Sequence, residues 1–203
     1  MGRVFEGMLL TIAFCTMLST GFAAAPEVGS PAPAFTLKDV LGKEHSLADF
    51  KGKFVVLEWV NYDCPFVRKH YRSGNMQTLQ KTYKEKGVTW LSICSSAPGK
   101  QGNFEQAELK ERIAQANAVP TAYLVDASGD VGRKYDARTT PHMFVINPEG
   151  VLIYAGGIDD TPSTDVDDIK TASNYVRAAL DAAMAGREVA VRASKPYGCS
   201  VKY

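Results

Sequence analysis

The apolar residues of this chain fall into short β-type runs separated by longer helical stretches. Phe54 to Val60 is apolar without alternation, as expected of a parallel strand covered on both faces. Val88 to Cys94 is a second β-rich run and Thr121 to Val125 a third. Met143 to Ile146 and Val151 to Ala155 predict two strands joined by the turn Asn147-Pro148-Glu149-Gly150. Near the start, Phe35-Thr36-Leu37 and the turn Gly42-Lys43-Glu44-His45 predict a short hairpin, closed by a helical turn over Leu47 to Phe50.

Helices are expected between these runs. Pro65 to Lys86 has Pro65 in its first turn and Gly87 at its stop. Phe104 to Ala116 follows the loop Ser95 to Asn103, and Asp126 or Ser128 caps a short helix reaching about Tyr135. Asp165 to Ala185 reads as the closing helix, with Asp165, Asp167 and Asp168 favourably placed near its N-terminus. The order βαβ, helix, hairpin, helix predicts one α/β domain, a central mixed β-sheet flanked by helices, with no internal repeat.

The beginning of the chain has a different logic. Arg3, an apolar run from Met8 to Leu18 and small residues from Gly21 to Ala25 have the layout of a secretory signal peptide. Gly21 and Ala23 suit cleavage after Ala23, and Phe14 before Cys15 argues against lipidation. The expected organisation is a signal over 1–23, an extended Pro/Ala-rich lead-in over 24–34, a domain over 35–186, and a tail over 187–203 carrying Cys199. The product would be secreted or periplasmic, with no stable membrane anchor after cleavage, because the run falls short of about 20 apolar residues. With 203 residues, 45% hydrophobic and a net charge of +1, the chain has no basic footprint for nucleic acid.

Cys64, Cys94 and Cys199 remain after the signal, so at most two pair within a monomer. Cys64-Pro65 lies where a buried strand enters a helix. A thiol there meets unpaired N–H groups and the positive end of the helix dipole, which lower cysteine pKa values to about 3.5–7.5. Arg68, Lys69, His70 and Arg72 follow within two turns and would lower it further. The plainer reading is an inert packed cysteine beside a solvated basic face. Glu58 is a lone carboxylate inside the Phe54 to Val60 run. Burial would raise its pKa and suit it to moving protons to and from sulfur, unless its side chain reaches solvent at a sheet edge.

The segment Val56-Leu57-Glu58-Trp59-Val60-Asn61-Tyr62-Asp63-Cys64-Pro65 resembles the strand-to-active-site segment of thioredoxin-like redoxins, the alkyl hydroperoxide reductase/thiol-specific antioxidant superfamily. Thr140-Pro141 resembles that fold's cis-proline loop and Pro148-Glu149-Gly150 its following turn. The likeness is greatest to peroxiredoxin-like members with Asn-x-x-Cys-Pro-Phe-Val, a Gly-x-Ile-Asp-Asp segment (Gly156 to Asp160) and a Gly-Cys-Ser tail (Gly198 to Ser200). It covers about residues 28–185. It implies a thioredoxin-like fold, Cys64 as the nucleophile, Glu58 at the place of a buried acid, and Thr140, Pro141 and Pro65 in contact with substrate.

Val67 stands where thioredoxin has its second cysteine, so another thiol must resolve the mixed disulfide. Cys199, in a glycine-containing tail, is the better resolving thiol and Cys94 reads as a core thiol. The Cys64–Cys199 and Cys94–Cys199 pairings both stay open. Expected partners are protein or small-molecule thiols and disulfides and an unidentified electron donor, with no organic cofactor and no metal. Two other functions compete. A thiol peroxidase would carry Pro-x-x-x-Thr/Ser-x-x-Cys, but Asn61 and Trp59 occupy that region. A non-enzymatic redoxin could bind partners, or Cu(I) through Cys64, His70 and His142, with the latter two packed in the plainer reading.

Overall fold

The computed structural model describes residues 1–2 and 25–203, and the expected signal over 1–23 lies, but for residues 1–2, outside them. Nine strands and five α-helices follow in chain order: β1 (Thr36–Asp39), β2 (Glu44–Ser46), β3 (Val55–Trp59), α1 (Pro65–Arg72), α2 (Asn75–Glu85), β4 (Thr89–Cys94), α3 (Gln106–Gln115), β5 (Ala122–Val125), α4 (Asp130–Lys134), β6 (Thr139–Thr140), β7 (His142–Ile146), β8 (Leu152–Gly156), α5 (Tyr175–Met184) and β9 (Cys199–Ser200). A seven-stranded mixed sheet has the order β2-β1-β5-β4-β3-β7-β8, with β3, β4 and β5 parallel. β6 and β9 form a separate two-stranded sheet.

The pleat of β3 divides the core. Val56 and Val60 face a cluster with Leu79 and Tyr83 of α2, Trp90 and Leu180 of α5. Val55, Leu57 and Trp59 face the opposite cluster with Phe35, Ile93, Phe144 and, from α4 and its end, Val131 and Tyr135. Every residue of β3 and β4 is buried, which explains their unbroken apolar character.

The expected helix over Pro65 to Lys86 is two helices. Gly74 takes a left-handed conformation (φ 76°) as the N-cap of α2, and Ser73 closes α1 by donating to the His70 carbonyl at 3.2 Å. The closing helix is also shorter than expected. Its true cap is Asn174, whose Oδ1 accepts from Arg177 N at 2.8 Å, while Asp167 and Asp168 sit in a separate 3₁₀ turn. Asp160 accepts from Ser173 N at 2.9 Å, holding the chain ahead of Asn174 out of helical geometry. Asp126 serves α4 from a distance, accepting from Gly132 N at 2.8 Å.

Both flanking segments lie on the sheet edge. Gly29 N donates to Leu152 O at 2.8 Å, and Leu152 N returns a bond to Ser30 O at 3.0 Å. Further along β8, Ala155 N bonds Arg192 O and Ser194 N bonds Ala155 O, both at 3.1 Å. A side chain at Gly156 would run into the Ser194 backbone, so glycine admits the tail here. Among the described residues no helix is long and apolar enough to cross a membrane.

Gly74→Ala should destabilise the fold by about 1 kcal/mol, since a Cβ makes the left-handed conformation costly. Urea unfolding would show a lower midpoint with an unchanged slope.

Candidate active site

Strand β3 ends at Trp59, and Asn61 turns the chain by accepting Asp63 N on its Oδ1 at 3.0 Å and Cys64 N on its carbonyl at 3.0 Å. Cys64 is thereby the N-cap of α1, with extended backbone (φ −72°, ψ 125°) and Pro65 at the first helical position. Its sulfur has no exposed surface and lies 3.0 Å from the Thr140 carbonyl oxygen, to which the thiol donates. The Thr140–Pro141 peptide bond is cis.

The other side of the sulfur is covered by the tail. β9 runs antiparallel to β6, pairing Thr140 with Cys199 and Thr139 with Ser200. The pairing places Cys199 beside the Cys64 sulfur, close enough for each thiol to act on the ionisation of the other. The three cysteines among the described residues, Cys64, Cys94 and Cys199, are free. Burial opposes ionisation of Cys64, yet the Cys199 thiol, Thr140 and the N–H groups of Val67 and Cys199 outweigh it and hold its pKa below the ordinary 9.0. The Thr140 hydroxyl is buried with no partner and is free to turn toward a thiolate. Cys199 moves the opposite way, to about 11, through burial and its role as donor to Cys64. The two thiols therefore titrate as a pair, the proton residing on Cys199 when Cys64 is anionic.

The basic residues after Cys64 do not produce this effect, contrary to expectation. Arg68 bonds Tyr62 O at 3.1 Å and Asp63 at 3.3 Å, and the buried Lys69 bonds Thr161 O at 2.9 Å. His70 is enclosed, with Asn75 at 2.9 Å on Nδ1 and the Tyr197 hydroxyl at 3.2 Å on Nε2; burial and the neighbouring Lys69 depress its pKa to about 3. His142 packs on Phe144 at 4.4 Å between centroids and accepts Arg138 N at 3.3 Å, buried and depressed to about 4. Cys64, His70 and His142 thus serve different neighbours, and the described residues hold no metal-type cluster of three or more His, Cys, Asp or Glu side chains.

Glu58 is fully buried on the same face of the sheet as Val56 and Val60. Its carboxylate accepts from Tyr71 OH and Trp90 Nε1, both at 2.9 Å, from Ser92 Oγ at 3.0 Å and from Gln80 Nε2 at 3.3 Å. Burial raises its pKa above 4.5 despite these four donors. None of the four is a thiol. Cys94, the last residue of β4, is likewise turned away, its sulfur 3.4 Å from Ser96 Oγ and from Gly102 O. Val67, where a second local cysteine would stand, is fully buried.

Several site residues carry no signal of their own in the sequence. Asp159 is only 3% exposed, and its Oδ1 accepts the Tyr197 hydroxyl. Tyr197 also packs edge-on against Phe66 at 5.9 Å, so the Cys-Pro-Phe, Ile-Asp-Asp and Gly-Cys-Ser segments meet at one point. Beyond Cys199, Val201 N bonds Arg138 O at 3.0 Å and Ala97 N bonds Lys202 O at 2.8 Å. Tyr203 donates to Ala137 O at 2.7 Å, its ring under Arg133 and against Gly129 and Gly132, where any side chain would collide with it.

A model of the AhpC/TSA family matches residues 28–155. The thiol-disulfide oxidoreductase ResA of Geobacillus kaustophilus is 30% identical over 128 residues, covering 62% of this chain and 67% of that one. The crystal structure of an uncharacterized conserved protein from the same species superposes with a TM-score of 0.71 at 27% identity, over 91% of this chain and 94% of that one. The thioredoxin domain of a thiol-disulfide oxidoreductase from Bacteroides vulgatus shares the fold, with a TM-score of 0.53 at 24% identity, over 72% and 98% of the two chains.

Alkylation of Cys64 should follow a pH midpoint below 9.0, and Cys199→Ala should move that midpoint upward by removing the strongest donor to the thiolate. Glu58 gives a separate signature. Its folded pKa is raised, so the folded protein keeps a proton that the unfolded chain loses above about pH 4.5. This group's contribution to stability is therefore largest below that pH and falls as pH rises through the raised value. Glu58→Gln should remove that component of the pH dependence in urea unfolding.

Proposed function

The chain belongs to the AhpC/TSA family, and we propose that it works there as a thiol–disulfide oxidoreductase with Cys64 as attacking thiol and Cys199 as resolving thiol. The observation that carries this reading is the antiparallel pairing of β6 and β9, which lays Cys199 against Cys64. The Cys64 thiolate attacks one sulfur of a substrate disulfide, and the other sulfur leaves as a thiolate. Cys199, losing its proton, then attacks the Cys64 sulfur of the mixed disulfide. A Cys64–Cys199 bond forms and the second substrate sulfur departs reduced. A dithiol donor returns the protein to two thiols and is itself oxidised. The steps run equally well in reverse, with the Cys64–Cys199 disulfide oxidising a substrate dithiol.

Thr140, Pro141 and Pro65 frame the sulfur and are assigned to substrate contact. Glu58 is assigned an indirect role: buried under α1 and α2 with no thiol among its partners, it acts on the proton balance of the site through its charge state rather than by passing a proton to sulfur by direct contact. The named ResA relative supports exchange over peroxide reduction. So does Asn61, which stands where peroxidases of the family use a hydroxyl and is committed to the Asp63 N–H and to Gln101 O. The signal-like segment over 1–23 supports placement in an exported compartment, where protein disulfides are the substrates at hand.

Cys64→Ser should abolish the protein's acceleration of insulin disulfide reduction by dithiothreitol. Cys199→Ser should leave the attack intact and accumulate a protein–substrate mixed disulfide, visible as an added mass on Cys64. Loss of turnover in neither variant would refute the assignment.

A further inference from the structure

The segment that supplies the resolving thiol also blocks the attacking one. Cys64 has no exposed surface, and no reactant disulfide reaches its sulfur while β9 is in place. We propose that residues 197–203 are a resident competitor, occupying the strip along β6 where the extended, cysteine-bearing segment of a protein substrate docks. This proposal rests on the reading of Cys64 as the attacking thiol.

The contacts define what the strip accepts. Cys199 and Ser200 pair with Thr140 and Thr139 through main-chain groups, and Val201 N adds a bond to Arg138 O at 3.0 Å. Such bonds are available to any extended chain, as when a peptide adds a strand to an exposed sheet edge. Side chains give the selectivity. Gly198 has φ 126°, and a Cβ there would overlap the Thr140 carbonyl, so the position before the cysteine requires a residue without bulk. Four residues after the cysteine, the Tyr203 ring fills a slot that Gly129 and Gly132 keep open under the Arg133 guanidinium. The strip therefore fits an extended segment of glycine, cysteine, three further residues and then an aromatic side chain.

Leaving the strip has a definite cost. β9 spans only two residues and Ser200 is exposed, so few main-chain bonds hold it, but release also withdraws Tyr197, Cys199 and Val201 from the core clusters they pack against and Tyr203 from its slot. Each catalytic cycle then requires two movements. The tail departs to admit the substrate disulfide, and returns for the Cys199 thiolate to attack Cys64 and expel the substrate thiolate.

The test uses the full chain with Cys199→Ser, which stops the reaction at the mixed disulfide. Gly198→Ala and Tyr203→Ala are added to it separately, loosening the tail at different points. Single-turnover mixed-disulfide formation with insulin should accelerate tenfold or more in both, and alkylation of Cys64 by iodoacetamide should accelerate with it. A synthetic peptide of residues 197–203 with serine in place of its cysteine should slow the insulin reaction of both loosened variants. Unchanged insulin and alkylation rates in both, or no effect of the peptide, would overturn the competitor role alone. Faster alkylation with no mixed disulfide would overturn the exchange reading itself, and the docking proposal with it.

Discussion

A carboxylate in the middle of a buried strand must be fully hydrogen-bonded or the fold that contains it is penalised by several kcal/mol. Glu58 meets that requirement with four donors from three other elements: Tyr71 of α1, Gln80 of α2, and Trp90 and Ser92 of β4. The constraint aligns β3 with β4 and presses both α1 and α2 onto the same face. The position of α1 in turn decides where its N-cap, Cys64, stands relative to Thr140. One acid thus ties the scaffold to the reactive sulfur without touching it.

The second organising contact is remote from the sheet. Tyr197 joins Asp159, His70 and Phe66, and so connects the loop after β8, the middle of α1 and the tail. Asp159 is buried with its Oδ2 unpartnered, 3.9 Å from His70 Nε2, an arrangement that fixes the tail's approach to Cys64. The three motifs that marked the family resemblance are far apart in sequence. In space they are neighbours, and the tail is where they meet.

Much of the scaffold was legible because it follows simple periodicities. The apolar runs at Val55–Trp59 and Thr89–Cys94 are strands on which both faces are covered, and the chemistry of Cys64-Pro65 follows from its place between strand and helix. The break at Gly74 was hidden because apolar residues continue across it at nearly helical spacing; only the five-residue step from Tyr71 to Met76 betrays it. The burial of Asp159 is not legible, because Asp160, Asp165, Asp167 and Asp168 surround it in the sequence and composition does not separate the one buried acid from them. The β6–β9 pairing lay beyond sequence reasoning altogether. Two-residue strands so far apart leave no periodic trace, and Cys199 entered only as a thiol in a glycine-containing tail.

The distance along the chain between the two thiols has a thermodynamic meaning. A bond between Cys64 and Cys199 would enclose about 135 residues, including four of the seven strands of the main sheet, β4, β5, β7 and β8. In the chain-entropy picture, closing a loop of that size removes about 5 kcal/mol of freedom from the unfolded ensemble. Oxidation and folding then reinforce one another: the oxidised form resists unfolding more than the dithiol form, and the folded chain holds the bond against reductants that would open it in a disordered one. The redox state of two sulfurs becomes a property of the whole domain.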